Sequence, residues 1–269
     1  MLKPTAPRFG EATVLQTEAL SPHMSRITFR ADLAAGFPDT IAGGYLKLLV
    51  PSPGEPAAPE LDPATAKTLM RTYTLRDVRP SDSTFDIDFV VHGDEGNAGP
   101  WAAKARPGDR ILISQPAPLK YSMAGADWHL FAADMSAIPA AAVALEALDP
   151  AATGDAFFEI LSEDDRQPVN APDGIQVHWM VKSDPRAPSD ALIRAVRNAP
   201  WRPGTPGVFA AGEFSLIGDL RAYFRKERQT PKDLTYISSY WKLGLVEPEH
   251  KAFKAQAAQD RPVSRPPAP

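Results

Sequence analysis

Arg71-Thr72-Tyr73-Thr74 is followed closely by Thr84-Phe85-Asp86-Ile87-Asp88-Phe89-Val90-Val91-His92. Then come Gly93, Gly96 and Gly99 around Pro100-Trp101-Ala102-Ala103-Lys104-Ala105. These three pieces decide the fold. Phe85, Ile87, Phe89 and Val91 alternate with Asp86, Asp88 and Val90, the period of a strand buried on one face. Arg71 and Tyr73 are two residues apart, so on a strand they share a face. Pro100 fits the first position of a short helix near 99–105, where its fixed φ is already suitable. A cation, an aromatic ring and a hydroxyl beside a Gly-rich turn are what a bound dinucleotide needs. The Arg71 guanidinium can meet two phosphate oxygens at once. Tyr73 can lie against a planar ring, and Thr74 can hydrogen-bond its edge. Helix N–H groups suit a phosphate, and Gly96 and Gly99 let the backbone come close. His92 ends its strand where it can meet an adenine or ribose. Taken together these residues point to FAD, although each piece alone also fits an ordinary edge strand or turn.

Outward from there, the first half is β. Met24–Arg30, Tyr45–Val50 and Arg110–Ser114 are strand candidates, the last entered through the turn Pro107-Gly108-Asp109. Short strands at close spacing predict a small antiparallel barrel. The rhythm changes near Ala126. Strands at Trp128–Ala133, Ala156–Leu161, Ile175–Val181, Gly207–Ala211 and Leu234–Ser239 alternate with helices at Ala137–Leu148, Ser189–Asn198 (Ser189 as N-cap) and Glu213–Arg228. That alternation predicts a parallel α/β sheet. The fold class is therefore α+β in two domains, a β-barrel over 1–123 and an α/β domain over 126–255. Pro51 to Pro63, with five prolines, is expected to be a surface insertion, and 256–269 a disordered tail.

Composition narrows the function. The 269 residues are enough for two domains, and a net charge of −4 with no basic stripe argues against nucleic acid as partner. The absence of cysteine excludes disulfides, a thiolate nucleophile and a Cys-held iron–sulfur cluster within the chain. The five histidines lack metal-ligand spacing. With no apolar signal core and no long apolar run, the chain is expected to be a cytoplasmic monomer without membrane insertion.

No GxGxxG marks the second half. Its strand ends carry Asp134-Met135-Ser136-Ala137 and Gly212-Glu213-Phe214-Ser215, where a second nucleotide would sit. Ser136 and Glu213 fit equally well as helix caps. In the loop Ser162–Arg166, acids favour a ribose hydroxyl and hence NADH, whereas Arg166 favours a 2′-phosphate and hence NADPH.

The chain resembles the siderophore-interacting protein family of FAD-dependent ferric-siderophore reductases. The resemblance rests on Arg71-Thr-Tyr-Thr74, Asp88-Phe-Val-Val-His92, Gly99-Pro-Trp-Ala102, Pro107-Gly-Asp109, Ala211-Gly-Glu213 and Ser239-Tyr-Trp-Lys-Leu-Gly244. It implies a fold similar to ferredoxin–NADP reductases. It also implies FAD contacts at Arg71, Tyr73, Thr74, Leu75, Asp88, Val90, His92, Gly96, Gly99, Pro100, Trp101 and Ala102. The NADPH or NADH side and flavin face would be Asp134, Ser136, Gly212, Glu213, Tyr240 and Trp241. Met135 stands where relatives carry a second acid.

The implied activity passes a hydride from the nicotinamide to the flavin and single electrons on to Fe(III) in a ferric siderophore. Anionic chelates call for cations, for which Lys47, Lys242, Lys251 and Lys254 are candidates, each equally readable as a solvated surface lysine. Three other functions fit the same residues: a general NAD(P)H–flavin or ferric-chelate reductase, a protein that feeds electrons to a redox partner, and a siderophore carrier without turnover.

Overall fold

Phe9–Ser21 (β1) is the longest strand, and the hydrophobic pattern conceals it. Only Ala12 and Val14 are buried along it, and Glu11, Gln16, Thr17 and Glu18 break the alternation. In the computed structural model, residues 9–50, 70–91, 93, 96–119, 123–245 and 249 are described. The expected insertion at 51–63 and tail at 256–269 lie outside them.

β1 joins β2 (Met24–Arg30), β3 (Tyr45–Leu49), β4 (Met70–Thr74), β5 (Asp77–Arg79), β6 (Thr84–Val90) and β7 (Arg110–Ser114). They form one antiparallel sheet in the order β4-β3-β7-β1-β2-β6-β5. The ladder does not close into a full barrel among the described residues. Leu75 and Arg76 link one edge strand, β4, to the other, β5. Leu75 N donates to Gly44 O and Arg76 N to Asp86 O. The sheet curls around a core of Phe29, Leu46, Leu48, Phe85, Ile87 and Phe89.

Two local expectations change. β6 is buried on both faces rather than one. Its acids are covered by cations instead of water: Arg26 grips Asp88 through two hydrogen bonds of 2.7 and 2.8 Å, and Arg79 and Thr28 bond to Asp86. The short helix α1 (Ala98–Lys104) begins before Pro100, which takes its third position. Proline is tolerated there because the first four N–H groups of a helix have no partner within it.

The second sheet contains β8 (Trp128–Asp134), β9 (Thr153–Ile160), β10 (Gly174–Val181), β11 (Pro206–Glu213) and β12 (Thr235–Trp241). It is wholly parallel, in the order β10-β9-β8-β11-β12. Helix α2 (Ile138–Glu146) covers one face; α3 (Asp190–Asn198) and α4 (Phe214–Ala222) cover the other. Covered faces explain why β8 and β11 are buried throughout. The helix expected over Glu213–Arg228 changes at Tyr223 into a π turn through Glu227, which keeps Tyr223 and Phe224 buried. Ser189 is not the side-chain cap expected of it; its hydroxyl donates instead to Glu159. Strand order reverses outward from β8, and in such sheets ligands bind beyond the carboxyl ends at the point of reversal.

The two sheets are joined. Leu20, Met24 and Val90 of the first share an apolar cluster with Met135, Ala137 and Tyr240 of the second. Arg76 pairs with Glu146 of α2. Asp165 is fully buried: its Oδ1 accepts from Ser21 Oγ at 2.8 Å and from His23 N at 3.0 Å, and its Oδ2 accepts from Ser162 N at 2.9 Å and lies 2.8 Å from His23 Nδ1. Burial alone pushes its carboxyl up, but these hydrogen bonds outweigh burial and leave it below the usual carboxylate range. Its stabilisation is therefore complete above the unfolded pKa near ~4 and is lost as the pH falls through the lower folded value. Asp165→Asn should remove about 2–4 kcal/mol at pH 7 and flatten the acid limb in a pH series of denaturant melts. An acid limb identical to that of wild type would mean the clamp contributes nothing.

Candidate functional site

Arg71 and Tyr73 project from one face of β4, opposite Leu48 and Leu46 of β3. Arg71 donates to the Met70 carbonyl at 2.9 Å. The Tyr73 ring packs on Phe89 with centroids 4.4 Å apart, and Trp101 of α1 lies 6.0 Å from the same Phe89 and stacks on Phe29. Phe89 thus ties β4 and α1 together, a role the sequence pattern did not single out. Thr74 is half-buried, and Leu75, Pro100 and Ala102 are buried. The Asp88 carboxylate is held by Arg26, so Asp88 stiffens the strand that ends at Val90. Gly93 and Gly96 take φ of 51° and 76°, with open space where a Cβ would stand. A Cβ on Gly99 would come within 3.2 Å of Val90 O, so glycine seats α1 close to β6. Asn97 makes no side-chain cap at the amino end of α1. Cation, aromatic platform and uncapped turn fit an FAD.

The carboxyl edge of the parallel sheet is built around Asp134, which ends β8 and is only 5% exposed. Its Oδ2 accepts from Glu213 N at 2.7 Å and from Trp241 Nε1 at 2.8 Å. Its Oδ1 accepts from Ser136 N at 3.0 Å and from the Ser136 hydroxyl. Burial pushes the Asp134 carboxyl up, and the bonds from Ser136, Trp241 and Glu213 oppose that. A Cβ on Gly212 would stand 2.6 Å from Asp134 Oδ2, at a φ of +148°, so the glycine of Gly212-Glu213 makes room for the carboxylate. A bulge after Gly212 brings Trp241 opposite Glu213 and leaves Tyr240 outside the register. Glu213 caps α4 by accepting from Ser215 N and Leu216 N, and Leu243 N donates to its other oxygen at 3.3 Å. Met135 is buried beside Met24 and Met123, where a second acid would lose its hydration.

Of the lysines, Lys47 donates to the Thr72 hydroxyl and stands 5.7 Å over the Tyr45 ring. Lys242 stands 5.1 Å over Phe214. His92, Lys251 and Lys254 lie outside the described residues. The loop Ser162–Arg166 spends part of its charge on contacts within the protein. Asp165 turns to the first sheet, and Arg166 pairs with Glu163. Sequence reasoning also passed over Lys182, which directly follows β10 and meets buried Glu159 at 2.8 Å. Burial pushes the Glu159 carboxyl up; the Lys182 and Ser189 bonds work against it. Only the parallel pairing of β9 and β10 brings those residues together.

A model of the siderophore-interacting FAD-binding domain matches residues 13–119, and a model of the siderophore-interacting protein matches residues 126–244. Ferric vibriobactin reductase ViuB of Vibrio cholerae is 30% identical over 238 residues, which cover 85% of this chain and 87% of that protein. The chain belongs to the siderophore-interacting protein family. A further relative is an uncharacterised protein of Mycobacterium bovis, 36% identical over 267 residues, covering 91% of this chain and 94% of that one. Among solved structures, the siderophore-interacting protein SipS of Aeromonas hydrophila matches with a TM-score of 0.82 at 27% identity, over 94% of this chain and 99% of SipS. The curled antiparallel sheet of this family member is thus its FAD-binding half. Among the described residues no helix is long and apolar enough to cross a membrane.

Proposed function

We propose that this family member is an FAD-dependent ferric-siderophore reductase fed by NADH or NADPH, working as a cytoplasmic monomer. One observation carries this function. Val90, at the entrance to the Gly-rich turn, lies in the same apolar cluster as Met135, Ala137 and Tyr240 at the carboxyl edge of the parallel sheet. The two half-sites are therefore held by one packed body. Bound FAD supplies hydride acceptance and one-electron delivery to the ferric substrate. Arg71 holds the pyrophosphate, Tyr73 and Thr74 the ring, and His92 with the turn at Gly96 and Gly99 the adenosine end. Ser136, Gly212, Glu213, Tyr240 and Trp241 shape the nicotinamide entrance. Reduction itself frees the metal, because Fe(II) has lower charge and sits low in the divalent affinity order.

Lys47 and Lys242, with Lys251 and Lys254, draw in an anionic chelate. Lys47→Ala should raise KM for an anionic ferric siderophore roughly 3- to 10-fold and leave NAD(P)H oxidation by a neutral acceptor unchanged. An unaltered KM removes Lys47 from the substrate site. The function itself is tested by turnover with a ferric siderophore, ferric citrate and free flavin, with Fe(II) trapped by a chromogenic chelator. Preference for the siderophore supports the proposal. Equal rates point to a general ferric-chelate reductase, and a colourless protein without turnover to a carrier.

A further inference from the structure

Asp134 was expected to touch the nicotinamide. Its burial, at 5% exposure, points to another role, holding the residues around it. Four donors converge on its two oxygens: Ser136 N, Ser136 Oγ, Glu213 N and Trp241 Nε1. They come from the ends of three strands, β8, β11 and β12. Three of the four are N–H groups, which can only donate, and they are matched by a carboxylate, which only accepts. The arrangement is therefore that of a carboxylate, whose buried charge is offset by charge-assisted hydrogen bonds. Gly212 leaves the space this carboxylate occupies, since a Cβ there would collide with it. The Trp241 ring is half-buried, its N–H end fixed inward on Asp134 and the remainder at the edge of the sheet.

We propose that Asp134 is a positioning residue that fixes the Trp241 indole and the Gly212–Glu213 backbone as one rigid wall for the nicotinamide dinucleotide. This rests on the reading of the carboxyl edge as the nicotinamide entrance. Hydride transfer needs the reacting atoms within about 3–3.5 Å, so a wall set by one buried carboxylate places the nicotinamide without touching it. Asparagine at 134 keeps the shape but turns an NH2 donor toward N–H groups that need an acceptor. The indole then loses its anchor.

The test is a double-mutant cycle on the FAD-loaded protein, read as the dissociation constants of oxidised NAD+ and NADP+ by calorimetry, with near-UV circular dichroism as a report on the indole. Asp134→Asn should weaken the tighter nucleotide about tenfold at unchanged FAD content and reduce the indole dichroism. Trp241→Phe keeps a ring without an N–H and should weaken it several-fold. In the Trp241→Phe background, Asp134→Asn should cost clearly less than it does alone, since the two residues act as a unit. An additive cycle, or an Asp134→Asn protein that binds nucleotide as wild type does, overturns the proposal. If Asp134→Asn does not fold, Trp241→Phe alone decides, and unchanged binding there overturns it equally. Wild-type protein that binds neither nucleotide overturns both this proposal and the nicotinamide-fed function, whereas failure of the cycle alone leaves the function standing.

Discussion

Arg71→Ala should purify with less than about a tenth of the FAD of wild type and bind added FAD roughly ten- to a hundred-fold more weakly. The guanidinium is suited to this because its planar fork meets two phosphate oxygens with two charge-assisted hydrogen bonds. Thr72, next along, faces the other way and is bonded by Lys47. Arg71→Lys keeps the charge but not the fork, and should recover only part of the affinity. Loss of flavin at unchanged thermal stability of the apo-protein separates a binding role from a structural one, and Arg71 lies on the rim of β4 rather than in its core. Full flavin content in Arg71→Ala would remove the pyrophosphate contact from this residue.

Gly154→Ala should be the most damaging alanine substitution among the described glycines. Gly154 stands where β9 enters the parallel sheet, opposite His129 of β8 and Ile175 of β10. A Cβ would lie 1.9 Å from His129 O, and the residue's φ of +153° belongs to a region open in practice to glycine alone. Neither a side-chain rotation nor a local adjustment relieves a collision with a neighbouring strand's backbone, so β8 and β9 must separate. A loss of about 4 kcal/mol is expected, or roughly 8–15 °C in Tm. Gly218 in α4 offers the contrast: nothing lies within 4 Å of its Cβ position and its φ is helical. Gly218→Ala should instead stabilise by about 0.5–1 kcal/mol. Calorimetric melts of both variants check the pair, and similar Tm values for Gly154→Ala and wild type would contradict the packing.

The two-sheet plan was legible because each sheet leaves its own period in the sequence. The alternation Phe85, Ile87, Phe89 survives as a buried stripe, and the apolar runs of β8 and β11 reflect a sheet covered on both faces. β1 left no such trace, since beyond Val14 it runs largely exposed. Periodicity also misjudged β6, because an aspartate reads as a solvent-facing residue until a partner such as Arg26, 62 residues away, is placed against it. In the FAD half, Arg71, Tyr73 and the Gly-rich turn were readable because those residues are close in sequence. The carboxyl edge was half-readable. Gly212-Glu213 and Trp241 stood out as motifs, but their common partner Asp134 lies 79 and 107 residues from Glu213 and Trp241. Only the parallel order of β8, β11 and β12 brings them together. The role of Asp165 in the 162–166 loop was hidden for a similar reason, since it serves a hairpin more than 140 residues earlier.

The central claim is that one packed body carries electrons from a nicotinamide through FAD to a chelated Fe(III). Anaerobic stopped-flow spectroscopy tests it most directly. The yellow protein should bleach on mixing with NADH or NADPH, then regain its flavin absorbance on addition of a ferric siderophore, with Fe(II) appearing in step in a chromogenic chelator. Flavin that bleaches but is not reoxidised by any ferric siderophore, or that neither nucleotide reduces, would contradict it.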